Sequence, residues 1–141
     1  MNREKITILT EKQFTKLNVY VERFVAGQRG EGLVNVFTTH TTCAIKIIEN
    51  EILLLADINA FLDRLIPKNG DYMHDKIEIR DVPINERINA FSHLRQLFLP
   101  TSETIPVQDG KLMLGKWQSL FLVELDPIRE RDVILTYMPY K

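Results

Sequence analysis

The sequence predicts an α+β fold, with largely antiparallel sheets and helices packed against them. Three observations carry that expectation. The chain has 141 residues, the size of one domain with a substantial core, so residues 1–141 are read as a single domain. Helical and strand-like hydrophobic periods are mixed through the first two thirds. The last third reads as strands joined by tight turns, with Asp109-Gly110 the kind of dipeptide favoured in two-residue hairpins. Strands linked by short turns pair antiparallel, which leaves the helices to cover a sheet face.

A short strand opens the chain around Lys5 to Leu9. Leu17, Tyr20, Val21, Phe24 and Val25 then follow the i, i+3, i+4, i+7, i+8 spacing of an amphipathic helix, ended by Gly27, Gly30 and Gly32. Leu33 to Thr39 alternates as a strand, with Val34, Val36 and Thr38 on the face that leads to His40. Thr38, Thr39, Thr41 and Thr42 form a hydroxyl-rich link into a second strand, Cys43 to Glu49. Period two places Cys43, Ile45, Ile47 and Glu49 on one face, so Glu49 is a carboxylate at the end of an apolar row.

Leu54, Ile58, Phe61 and Leu65 mark a helix over Glu51 to Ile66; the apolar run Leu53 to Ala56 suggests burial on more than one side, and Pro67 stops the helix. Lys68 to Asn85 is a loop, long enough to be functional or mobile. A helix over Glu86 to Phe98 is expected to bury Ile88, Phe91, Leu94 and Phe98, leaving Glu86, Asn89 and His93 on an opposite polar stripe. Strands follow at Thr101 to Gln108, Lys111 to Leu125 and Asp132 to Met138, and Pro106 marks an edge or an irregularity in the first of them. Trp117 reads as a core or interface anchor before a substrate platform.

The net charge of -1 and pI near 6.3 remove the electrostatic footprint of a nucleic-acid binder. No apolar run is long enough to cross a bilayer, and the start Met1-Asn2-Arg3-Glu4-Lys5 lacks the apolar stretch of a signal peptide, so a cytoplasmic protein without a membrane partner is expected. The single cysteine, Cys43, excludes an intrachain disulfide and reads as a small buried hydrophobe. Arg129 and Arg131 are either phosphate ligands or a solvated charge run.

Chemistry concentrates in the histidines. There are three, His40, His74 and His93, each from a separate segment. Three imidazoles without a cysteine pair are the ligand set of an open metal centre that keeps one position for water or substrate. Their spacing matches no compact zinc motif, so scattered surface or core histidines remain the alternative. Zinc is the first choice of divalent metal because it favours neutral imidazole.

The strings around these residues form a wider pattern. Thr39-His40-Thr41-Thr42-Cys43-Ala44, with Glu49-Asn50 following, resembles the His-Thr-Ser/Thr and Asn-Glu-Asn signature of the YjbQ family. Tyr72-Met73-His74-Asp75 resembles its second histidine segment, Asn89-Ala90-Phe91-Ser92-His93-Leu94 its third, and Gly110-Lys111-Leu112-Met113-Leu114-Gly115-Lys116-Trp117-Gln118 its Gly-x-Leu-x-Leu-Gly-x-Trp-Gln strand. All four occur in the family's order. The chain departs from the pattern at Ile48, at Ile52-Leu53, at Phe91, at Pro100 and at Ser119.

This resemblance implies a compact α+β homotrimer whose site groups the three histidines, commonly around a metal ion. The activity attached to the family is a secondary thiamine-phosphate synthase, a side activity that joins a pyrimidine pyrophosphate to a thiazole phosphate with release of pyrophosphate. Carried onto this chain, His40, His74 and His93 become metal ligands or catalytic bases, Glu49 a catalytic carboxylate beside them, Asn89 and Gln118 ligand-binding polar groups, and Trp117-Gln118 part of the site or of the trimer wall. The expected partner is a small phosphorylated metabolite. A non-catalytic trimeric metal- or phosphometabolite-binding protein and a metal-dependent hydrolase share the same residues.

Overall fold

The computed structural model describes residues 1–141. Two antiparallel sheets pack face to face. The larger runs in the order β1 (Asn2–Thr10), β8 (Arg129–Pro139), β3 (Glu31–Thr38), β5 (Ser102–Gln108), β6 (Lys111–Leu112). The smaller consists of β2 (Phe14–Lys16), β7 (Ser119–Glu124) and β4 (Cys43–Ile48). Val34, Val36, Ile105, Val133 and Leu135 of the large sheet meet Ile45, Leu120 and Leu122 of the small one, and α1 (Asn18–Val25) adds Val21, Phe24 and Val25 to this core.

The other face of the small sheet packs Ala44, Phe121 and Val123 against Leu62 of α2 (Ile52–Leu65). Strand β7 is therefore covered on both faces and all six of its residues are buried, which is why Leu120 to Val123 reads as a continuous apolar run. Strand β3 has one solvated face and alternates cleanly. The result is the α+β arrangement that the sequence predicts. No helix is long and apolar enough to cross a membrane.

The hairpin turn also follows expectation: Asp109 and Gly110 both take positive φ, 46° and 75°, and Gln108 pairs with Lys111 across them. A β-carbon at Gly110 would stand 2.7 Å from the Ala26 carbonyl oxygen, so a side chain is excluded there on two grounds. Pro106 stands one residue before the β5–β6 pairing, near the edge of the sheet, where its carbonyl still accepts from the Met113 N–H at 2.9 Å and a missing N–H is tolerated.

Four expectations are corrected. The strand expected over Lys111 to Leu125 is broken, because Gly115 and Gln118 close a turn on each other between β6 and β7. Strand β2 has no counterpart in the sequence reading; three residues carry no period. The helix expected over Glu86 to Phe98 is α3, Ala90–Gln96. Its buried face is Ala90, Ser92 and Arg95, while Phe91 and Leu94 are half-buried and Ile88 and Phe98 are 54% and 63% exposed. Polar bonds explain the rotation: Ser92 Oγ donates to the Leu125 carbonyl, and Arg95 donates from Nε and Nη2 to the Ile66 carbonyl and from Nη2 to Asp63. Finally, α2 buries only Leu62 fully, and its apolar Ile52, Leu53, Phe61 and Leu65 face solvent.

Candidate functional site

The pocket that gathers the histidines forms where the ends of three strands meet the loop after α2. The antiparallel register of β3 with β8 sets Thr38 opposite Val133, so the Thr39–Thr42 connection passes beside the first residues of β8. That brings His40 onto Asp132, whose backbone N–H donates to His40 Nε2 at 2.9 Å. It also brings Arg129 and Arg131 to the same opening.

His74 arrives from a different direction. It sits in a 3-10 turn, Met73–Asp75, and the Asp75 carboxylate accepts from the Ala90 N–H at 2.9 Å. A carboxylate from a distant loop thus occupies the first turn of α3, where unpaired N–H groups favour it. The bond holds the His74 segment against α3 and places His74 and His93 with ring centroids 4.8 Å apart, 71° between planes. A second tie runs from Arg80 Nη1 to the His74 carbonyl at 2.8 Å. Asn89 is fixed by donating from Nδ2 to buried Asp126 at 2.8 Å.

The resulting cavity has a volume of about 380 Å³ and no hydrophobic residue in its wall. The three imidazoles face it with Arg80, Arg129 and Arg131, the threonines of the His40 loop, Asn89 and one acid, Glu86. Arg80 is the least compensated cation, since no carboxylate lies within ion-pair distance of it. Arg129 approaches Asp126 at 3.7 Å. Arg131 lies beneath the floor, bonded to the Thr42 hydroxyl at 2.8 Å and to buried Glu124. Guanidinium groups, hydroxyls and imidazoles on one concave surface form a set of donors suited to phosphate oxygens.

Two of the histidines are tuned. Burial, and after it the charge of Arg131, holds His40 below the ordinary imidazole value. Burial, and after it the neighbouring His74, does the same for His93. Both are therefore neutral over a wider range than a free imidazole. Accepting a bond at Nε2 makes neutral His40 the Nδ1–H tautomer. Protonation would break the bond to Asp132, so the stability these two rings contribute is present above pH 6.5 and is lost as the pH falls below 6.5 through their lowered midpoints. In an NMR titration both rings should titrate below 6.5, and phosphate added to the cavity should move the two midpoints upward, since an anion favours the charged form.

The arrangement tests the expected metal centre directly. A ligating imidazole needs a free lone pair, and His40 already uses its Nε2 lone pair. His74 and His93 are close enough to serve one ion, but no group of three or more His, Cys, Asp or Glu side chains is gathered to hold a metal. As arranged, the three imidazoles line one cavity without forming a three-histidine ligand cluster.

Glu49 and Gln118, expected beside the histidines, lie elsewhere. Strand β4 starts near His40 and runs away from it, and six residue steps of extended chain carry Glu49 about 20 Å from Cys43. Strand β7 is antiparallel to β4 with Ser119 opposite Ile48, so Gln118 lies at that same far end. Glu49 is exposed there, and Gln118 accepts from the Gly115 N–H. Trp117 is 65% exposed, outside the cavity, with Lys116 over its ring.

Sequence reasoning missed Arg80, Asp126 and Glu124. Nothing in the sequence singles out Arg80. Glu124 carried a usable signal: it ends an apolar row in β7 just as Glu49 does in β4, and of the two carboxylates it is the buried one.

Comparison with known proteins agrees with this architecture. The family model described as "UPF0047 protein YjbQ-like" matches residues 4–140. A UPF0047 protein of Archaeoglobus fulgidus is 38% identical over 133 residues, covering 93% of this chain and 97% of the relative. Among solved structures, a hypothetical protein from Aeropyrum pernix K1 superposes with a TM-score of 0.86 at 33% identity, over 99% of this chain and all of that one. A YbjQ-like protein of unknown function from Sulfolobus solfataricus P2 gives 0.84 at 29% identity, covering 99% and 97%.

Proposed function

The chain belongs to the YjbQ-like UPF0047 family, and from that premise we propose that its histidine-arginine cavity binds a small phosphorylated metabolite and acts on it as a thiamine-phosphate synthase-type transferase. The observation that supports this is the wall of the cavity, which places Arg80, Arg129, Arg131 and the Thr39–Thr42 loop around one polar volume without a hydrophobic residue. In the proposed reaction the carbon–oxygen bond of a pyrimidine pyrophosphate breaks, its carbon bonds to the ring nitrogen of a thiazole phosphate, and pyrophosphate leaves with the bonding electron pair. Cations fixed in advance around the leaving oxygens stabilise the charge that develops on them. The alkylation itself releases no proton; His40 and His93, which gain one from solvent as the pyrophosphate anion settles beside them, would then donate hydrogen bonds to the leaving oxygens.

Turnover decides between this reading and a non-catalytic phosphometabolite-binding protein. Purified protein given both precursors should form thiamine phosphate and pyrophosphate above the uncatalysed rate. Saturable binding without product would leave only the binding role.

A metal-dependent version, including hydrolysis of a phosphorylated molecule, is favoured by one observation, the 4.8 Å His74–His93 pair. Those two rings would hold a divalent ion, with zinc the first choice, and the ion would supply charge neutralisation to phosphate oxygens. Chelator treatment followed by zinc addition should change activity by more than tenfold if the ion takes part.

We also propose that the protein assembles as a homotrimer. The exposed Ile52, Leu53, Phe61 and Leu65 of α2, together with Trp117, are large apolar side chains that such an assembly would cover. Light scattering should report the mass of three chains at micromolar concentration, and a stable monomer would contradict the assembly.

A further inference from the structure

Residues 76–88, which join the His74 turn to α3, include no buried residue. Ile79, Ile84 and Ile88 are 66%, 94% and 54% exposed, so apolar burial does not hold this segment in place. Its own hydrogen bonds are equally local. The backbone groups of Ile79, Arg80, Val82 and Glu86 close short turns within the segment, and the Arg80 side chain reaches no farther than the His74 carbonyl. Yet this segment supplies the cavity with Arg80 and Glu86.

One side chain ties it to the sheets. Arg87 donates from Nη1 to the Asp126 carboxylate at 3.0 Å and to the Asp126 carbonyl at 3.3 Å, and from Nη2 to the Ile128 carbonyl at 3.3 Å. The receiving surface is fixed in advance, since Asp126 is buried, donates its N–H to Glu124 and accepts from Asn89. A guanidinium fork can engage a carboxylate and two carbonyls together, whereas a lysine ammonium is a single point of charge. Arg87 is not part of the cavity wall. Arg80 is thereby held between two anchors, the Asp75 to Ala90 bond on one side and Arg87 on the other.

We propose that Arg87 is a positioning residue: it latches residues 76–88 onto the β7–β8 connection and so keeps Arg80 facing the cavity. Without the latch the segment moves, Arg80 is in place in only a fraction of the molecules, and apparent affinity falls with that fraction. The positioning role rests on reading the cavity as an anion site. The latch itself does not.

Arg87→Ala tests both, and it leaves the fold standing because the Arg87 side chain is 40% exposed and outside the apolar core. In the ligand-free variant, NMR relaxation should show backbone order parameters over residues 78–86 falling from about 0.85 to below about 0.6, with α3 and β7 unchanged. Calorimetry should show pyrophosphate bound about three- to tenfold more weakly, and no more weakly than by Arg80→Ala. Added to Arg80→Ala, the same substitution should cost nothing further, because the group it positions is already gone. Arg87→Lys, which keeps the charge and loses the fork, should restore only part of the order and part of the affinity. Order parameters that stay at wild-type values would overturn the latch and leave the phosphate pocket standing. Losses that add in the double variant, or a lysine that restores affinity without order, would point to long-range charge and overturn the positioning role. Failure of the wild-type protein to bind pyrophosphate would remove the pocket reading and the positioning role together, while the order parameters report on the latch alone.

Discussion

Replacing Glu124 with alanine is expected to destabilise the fold by about 3 to 5 kcal/mol, because it leaves the buried Arg131 guanidinium without its carboxylate partner. Both residues are 1% exposed. Glu124 accepts from Arg131 Nε at 2.7 Å, from Arg131 Nη2, from the Thr10 hydroxyl and from the Asp126 N–H at 2.9 Å. Burial pushes this carboxyl up, yet the bonds from Arg131, Thr10 and Asp126 outweigh it and hold Glu124 below its ordinary value of 4.5. The stability it contributes is thus present above pH 4.5 and is lost as the pH falls through the lowered midpoint. Urea unfolding at neutral pH measures the effect. The double variant Glu124→Leu with Arg131→Met should recover most of the loss, since a buried pair replaced by apolar groups of similar volume is often neutral.

Arg80→Ala and Arg129→Ala are expected to act on the ligand and not on the fold. Each removes charge-assisted bonds to phosphate, worth about 1.5 to 3 kcal/mol, so affinity for pyrophosphate should fall about tenfold or more per substitution. Stability should change little. Arg80 has only its bond to the His74 carbonyl to lose, and Arg129 pairs with Asp126 at 3.7 Å from a side chain 37% exposed, an arrangement worth at most about 1 kcal/mol. Calorimetry and thermal unfolding on the same samples separate the two effects.

The fold was largely legible because most elements carry their own period. Leu17 to Val25 could only satisfy a helix, and Leu33 to Thr39 only a strand with one dry face. Where the reading failed, tertiary bonds overrode local pattern. In α3 the apolar residues Ile88, Phe91 and Phe98 suggested one face, but the Asp126 carboxylate fixes Asn89 and the Leu125 and Ile66 carbonyls claim Ser92 and Arg95, so the helix starts later and turns a different side inward. None of those partners is near α3 in sequence. The site was half legible for the same reason. Each histidine announced itself by its surrounding string, whereas their meeting depends on the β3–β8 register for His40 and on the single Asp75 to Ala90 bond for His74 and His93. The resemblance implies Glu49 as a carboxylate beside the histidines, and the direction of β4 carries it to the opposite end of the small sheet.

The central claim is that the cavity shared by His40, His74, His93 and the three arginines is a phosphate site. Pyrophosphate titrated into the wild-type protein at pH 7, with the imidazole resonances followed by NMR, tests it most directly. The account predicts saturation at one site per chain, shifts confined to the three histidines and their neighbours, weaker binding as salt is raised, and upward movement of the His40 and His93 midpoints. Imidazole resonances that stay unchanged at millimolar pyrophosphate would contradict it.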